Sequence, residues 1–136
     1  MTDPKSTESL LQVRVYYEDT DAGGVVFYAN YLKFLERART EWLRAMGLGQ
    51  QQLKDREDLV LVIRDMNLDF HKPARLDDEL QASVELLERR RASLVFAQQI
   101  TRGNEVLVGA KVRAACLVAS SFTPRALPEW LFADTP

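Results

Sequence analysis

Asp19-Thr20-Asp21-Ala22-Gly23-Gly24 is the stretch of this chain whose residue types and spacing could do chemistry. Two carboxylates stand in a glycine turn, and an apolar helical pattern begins a few residues later, from about Asn30. The first turn of a helix leaves backbone N–H groups without partners, and with the helix dipole they create a site of positive potential. Such a site can hold a carbonyl oxygen that turns into an oxyanion. A carboxylate beside it can attack the carbonyl or take a proton from water, so the pair suits hydrolysis of an activated acyl group. On residue types alone, Asp19 or Asp21 could equally stabilise the turn or cap the helix.

The elements that must position this turn follow from periodicity. From Gln12 to Glu18, Val13, Val15 and Tyr17 alternate with Arg14, Tyr16 and Glu18, as in a half-buried strand. Tyr31, Phe34, Leu35, Ala38, Trp42, Leu43 and Met46 then share one helical face, and Gly47 and Gly49 end it after about four turns. Gln50 to Asp58 reads as a short polar stretch. Leu59 to Ile63 is an apolar run, followed by alternation at Met66, Leu68 and Phe70, and further strands fall on Leu80 to Leu86 and Leu94 to Ile100. Arg102-Gly103-Asn104 is a hairpin turn, and from Val106 to Val118 apolar residues take every second place. A strand that long should bend around something, and the helix is the natural object. The tail is irregular, with a short turn at Pro128 to Leu131. The whole is an α+β fold in one domain, residues 1–136, with 1–11 as a flexible N-terminus.

Composition narrows the function. The 136 residues carry 18 Lys+Arg against 20 Asp+Glu, a net charge of -2, which provides no overall attraction for nucleic acid. One cysteine, Cys116, and one histidine, His71, exclude an internal disulfide, a multi-cysteine zinc site and any mechanism that needs two histidines. Cys116 reads as a small buried hydrophobe and His71 as a surface or structural residue. No apolar run is long enough to span a membrane and the first residues lack a signal-peptide pattern, so the expected location is cytoplasmic.

The region Val13 to Leu43, and above all Glu18-Asp19-Thr20-Asp21-Ala22-Gly23-Gly24-Val25-Val26, resembles the hotdog-fold acyl-CoA thioesterases of the 4-hydroxybenzoyl-CoA thioesterase class, in particular the YbgC branch associated with the tol-pal system. Phe70 to Asp78, Ser93-Leu94-Val95-Phe96 and Pro124-Arg125-Ala126-Leu127-Pro128 are similar to that branch as well. The resemblance implies a five-stranded antiparallel sheet wrapped around one long central helix, assembled as homodimer or homotetramer with active sites at the dimer interface. It also implies hydrolysis of an acyl-CoA to free acid and coenzyme A without metal or cofactor. The catalytic aspartate falls on Asp21, as nucleophile or general base, and the carbonyl-polarising backbone amide falls on Tyr28. The YbgC branch commonly has histidine at that position and the hydroxybenzoyl branch tyrosine, so the chain mixes features of both.

Gly24, Arg90 and Arg91 are the expected substrate-binding residues. In Arg89-Arg90-Arg91, guanidinium groups could grip the phosphates of coenzyme A, or the run could simply be a solvated hairpin turn. Basic residues in the hydroxybenzoyl branch match Arg90 and Arg91 but not Arg89. The acyl group, and the choice between coenzyme A and acyl carrier protein, stay open. Hotdog dehydratases need a catalytic histidine in a setting that His71 lacks. A non-catalytic acyl-binding or scaffold protein of the envelope tol-pal machinery is the alternative to an enzyme, and the carboxylate and paired glycines speak against it.

Overall fold

A computed structural model describes residues 8–135. The elements run β1 (Glu8–Arg14), α1 (Tyr28–Ala45), α2 (Gln50–Glu57), β2 (Leu59–Phe70), β3 (Glu79–Arg89), β4 (Ser93–Arg102) and β5 (Glu105–Val118). The five strands form one antiparallel sheet in the order β1-β3-β4-β5-β2, so β1 and β2 are its edges.

Helix α1 packs across β1, β3 and β4 and buries Tyr31, Phe34, Leu35, Ala38, Trp42 and Leu43. The sheet meets it with every second residue of β3, namely Leu80, Ala82, Val84 and Leu86, and with Leu94, Phe96 and Ile100 of β4. Val112, Ala114 and Cys116 of β5 continue that layer. Here the two periodicities agree with the fold: a 3.6-residue stripe faces a two-residue alternation, and each hides the other from water. The Cys116 thiol is free and buried, and burial pushes its pKa up, as befits a small core hydrophobe.

Three expectations shift. The first strand is Glu8–Arg14, not Gln12 to Glu18, and Tyr17–Asp19 forms a 3-10 turn. Alternation continues past Arg14, but the Asp19 carboxylate takes the Tyr16 N–H at 2.8 Å and curls the chain out of the sheet. Residues 8–11, expected within a flexible terminus, pair with β3 from Glu85 to Ala82, while 1–7 lie outside the described residues. The polar stretch after α1 is a second helix, α2, which buries only Leu53 and packs on β2. One buried leucine, worth about 2 kcal/mol, leaves too faint a stripe to be seen in the sequence. The apolar run at Leu59 and the alternation after Met66 are one strand, interrupted by a register shift between Ile63 and Asp65.

The tail is irregular as expected, with a turn closed by the Leu131 N–H on the Pro128 carbonyl at 3.0 Å. Leu127 and Leu131 are nonetheless buried, and the Trp42 and Phe132 rings stack at 5.2 Å. The tail therefore closes one end of the core.

Candidate active site

The loop between β1 and α1 is held by its own side chains. Asp19 accepts three hydrogen bonds. Its carboxylate accepts from Tyr16, and its carbonyl accepts the Phe27 N–H at 3.0 Å and the Asn30 side-chain amide at 2.9 Å. The last two bonds tie the loop to the first turn of α1. Asn30 was not singled out by the sequence; its place at a helix start, eleven residues after the acid it bonds, was its only signal.

Asp21 heads the turn. Its N–H donates to the Val25 carbonyl at 2.8 Å, and its carbonyl accepts the Gly24 N–H at 3.0 Å. Its Oδ1 accepts the Gly23 N–H at 2.8 Å. Gly24 has φ +79, a conformation that glycine adopts without strain. At Gly23, a Cβ would sit 3.2 Å from Asp21 Oδ1, so a side chain there would crowd the acid. The carboxylate is exposed, and among the described residues Oδ2 accepts no hydrogen bond.

The loop is then clamped from the far side. Val25 bridges to Arg75, and the Val26 N–H donates to the Ala74 carbonyl at 2.9 Å. The Ala74 N–H in turn donates to the Tyr31 hydroxyl at 3.0 Å, so α1 and the segment before β3 grip one another. Asp78 secures that segment: its Oδ2 accepts the Arg75 N–H at 2.8 Å and the Arg102 guanidinium at 2.7 Å. Burial acts to raise the Asp78 pKa, yet the Arg75 N–H and the Arg102 charge together hold it below the usual carboxylate value. Glu105 is also held low, by the hydrogen bonds from Lys72 and Arg102. These groups are a positioning layer that the sequence reading did not find, because its members come from β4, β5 and the segment between β2 and β3.

Tyr28 opens α1, so its N–H has no carbonyl one turn earlier within the helix. Phe27, the residue before it, supplies no side-chain cap. The Tyr28 ring is 65% exposed and lies 4.7 Å from that of Phe27. Beside it opens a cleft of about 270 Å³, lined by Val26, Tyr28, Tyr31, Phe70, His71, Lys72 and Pro73. His71, read as a surface or structural residue, lies on this cleft. Its backbone N–H is anchored on the Leu107 carbonyl at 2.8 Å.

The fold separates Arg90 and Arg91 from Asp21. Val15 exchanges backbone hydrogen bonds with Asp77 and Asp78 at the start of β3, next to the acidic loop. The arginines follow the other end of that strand. From Glu79 to Arg89 the chain advances roughly 33 Å at about 3.3 Å per residue. Arg90 meets Glu88 with two nitrogens at 3.2 Å, and the Arg91 carbonyl receives the Leu127 N–H at 2.8 Å. Arg89 differs from its neighbours, since its guanidinium donates to the Leu131 and Pro128 carbonyls at 2.7 Å and fastens the tail.

Among the described residues no group of three His, Cys, Asp or Glu side chains is placed to hold a metal, and no helix is long and apolar enough to cross a membrane.

The chain is similar to known proteins over most of its length. The family model described as "Thioesterase superfamily" matches residues 23–109, from the turn glycines to β5. "Acyl-CoA thioester hydrolase YbgC" of Escherichia coli O6:H1 is 46% identical over 123 residues, which cover 90% of this chain and 91% of the relative. "Acyl-CoA thioesterase YbgC" of Haemophilus influenzae is 44% identical over 117 residues, 86% of each chain. Among solved structures, a probable thioesterase from Bartonella henselae superposes with a TM-score of 0.84 at 36% identity, covering 89% of this chain and 99% of the other. The match to the family model and the identity to these relatives over most of the chain place it in the thioesterase superfamily.

Proposed function

We propose that this protein hydrolyses acyl-CoA thioesters to a free carboxylic acid and coenzyme A, with Asp21 as the reacting acid and the Tyr28 amide as the oxyanion donor. The observation that carries the reading is the exposed Asp21 carboxylate, steadied through Oδ1 by Gly23 and free at Oδ2, in a loop tied to the bare first turn of α1. The YbgC relatives, whose names specify acyl-CoA, support the substrate class.

The thioester carbonyl would accept the Tyr28 N–H, and the helix start would stabilise the oxygen as it becomes negative. Asp21 then acts in one of two ways. It attacks the carbonyl carbon, expels the coenzyme A thiolate and leaves a mixed anhydride for water to open. Alternatively it takes a proton from water as that water attacks and the thiolate departs. The cleft beside Tyr28 and Phe70 would receive the adjoining part of the substrate. Gly24 offers backbone without a side chain at the mouth of the turn. Coenzyme A enters as part of the substrate, and no further cofactor is required.

Arg90 and Arg91 would receive the coenzyme A phosphates. Because they lie a strand's length from Asp21, a second copy of the chain would supply them, in a dimer or a dimer of dimers. Edge strands β1 and β2 offer unpaired backbone for such an assembly, with α1 as its central helix in each copy. The protein is then a cytoplasmic homo-oligomer, and acyl carrier protein is a second carrier to assay. Thiol release from a panel of aliphatic and aromatic acyl-CoAs tests the reading. Turnover that disappears in Asp21→Asn supports it; a folded protein with no turnover on any member favours an acyl-binding or scaffold role beside the tol-pal machinery.

A further inference from the structure

About two thirds of the way along α1 a positive charge is buried without an ion-pair partner among the described residues. Arg39 is 9% exposed and, with Gln98, is one of two buried polar residues among those described. Its Nη1 donates to Gln98 Oε1 at 2.7 Å, and the Gln98 side-chain amide is spent on the Leu35 and Ser83 carbonyls at 3.1 and 3.2 Å. A guanidinium carries five N–H donors, and no other hydrogen bond of Arg39 occurs among the described residues. No carboxylate there lies within ion-pair distance either. Burial depresses the Arg39 pKa, and Glu36, one turn back and exposed, acts in the opposite direction.

Such a charge is costly unless something answers it. What faces it is a cavity of about 170 Å³, with walls of Trp42, Leu61, Ile63 and Phe96 and with Glu36 and Gln50 also on its lining. An apolar cavity of about 150 Å³ is large enough for a benzene ring. The Trp42 indole N–H, on a residue that lines the same cavity, is a buried donor without a partner among the described residues. Arg39 stands eleven residues beyond Tyr28, or roughly 16 Å along the helix at about 1.5 Å per residue. The cavity is therefore separate from the cleft at the helix start.

We propose that this cavity binds a small carboxylate with an apolar body, its carboxylate on Arg39 and its body between Trp42, Ile63 and Phe96. The choice of a carboxylic acid rests on the thioesterase reading, whose product is one. It can arrive as the far end of an acyl group that carries a second carboxylate, or as free product acid. Glu36 limits the affinity from the cavity lining, because it repels the same anion.

Benzoate and pentanoate are the probes, with benzamide as the uncharged control, read by titration calorimetry on the full chain without turnover. Benzoate should bind about 10-fold to 100-fold more tightly than benzamide, the range expected for a charge-assisted hydrogen bond. Arg39→Gln should remove that preference, and Glu36→Gln should strengthen benzoate binding several-fold. Should Arg39→Gln not fold, Ile63→Phe fills the cavity from its exposed rim and should abolish binding with the arginine in place. Competitive inhibition of thioester hydrolysis by benzoate marks the cavity as an acyl subsite, and non-competitive inhibition marks it as a product-acid site. Equal binding of benzoate and benzamide, or no binding of either, overturns the proposal and leaves Arg39 as a tie between α1 and Gln98. Neither result touches the assignment of Asp21, which thiol release decides.

Discussion

Gly23 donates its backbone N–H to Asp21 Oδ1 at 2.8 Å, so the turn that makes room for the acid also aims it. Asp19, two residues earlier, spends its carboxylate on the Tyr16 N–H and holds the loop. The two acids of one short run therefore accept from different backbone groups, and the proposed reaction gives them different tasks. Asp21→Asn should keep the fold and lower kcat by about 10²-fold to 10⁴-fold, as when a positioned acid or base is lost. Asp19→Ala should instead cost stability, seen as a lower Tm, with a smaller loss of kcat at temperatures where the loop is folded. Near-normal turnover by folded Asp21→Asn would remove the acid from the mechanism.

Substitutions at Tyr28 separate backbone from side chain. Tyr28→Phe retains the amide and the ring contact with Phe27, so most activity should remain. Proline at the first position of a helix is tolerated but has no N–H to donate. Tyr28→Pro should stay folded by circular dichroism and lose about 10²-fold to 10³-fold in kcat, the usual effect of deleting one oxyanion donor. A dead Phe variant beside an active Pro variant would give the role to the hydroxyl.

Arg90→Ala combined with Arg91→Ala should raise KM more than it lowers kcat, because phosphates far from the carbonyl contribute mainly uniform binding. A truncated thioester without the nucleotide should show no such defect. If the arginines serve a neighbouring copy, mixing this variant with inactive Asp21→Asn should restore part of the activity through mixed oligomers. Light scattering that showed an active monomer, or mixtures that never complemented, would confine both roles to one chain.

Asp78 links site geometry to pH. Its pKa is lowered in the folded protein, so the stabilisation it provides is present above the ordinary carboxylate value, about 3.9, and is lost as pH falls through the folded value. Asp78→Asn should therefore be less stable than the parent at neutral pH, and the gap should close below about pH 3.9 in denaturant titrations. A gap that persisted unchanged at low pH would show that the Asp78 contribution does not depend on its charge.

Much of the architecture was legible in the residues themselves. The apolar stripe of α1, the alternation along β3 and β5 and the glycine turn at 23 and 24 follow from periods and backbone freedom that belong to neighbouring residues. The start of α1 could be read to within two residues for the same reason, at about Asn30 against the observed Tyr28, and Asp21 lies on the same short segment. The resemblance of that segment to a thioesterase motif then singled out Asp21 from Asp19, a distinction that composition does not make. What the chain order could not show depends on contacts between distant segments. That Asp19 ends the first strand early and Asp78 braces the loop through Arg102 are facts of packing. So is the placing of Arg39 against Gln98 from another layer, and of Arg89 against the tail. Charges that look alike in the sequence differ here because folding desolvates one arginine, pairs another with Glu88 and spends a third on carbonyls. Only the tertiary structure decides which of them remains available to a ligand.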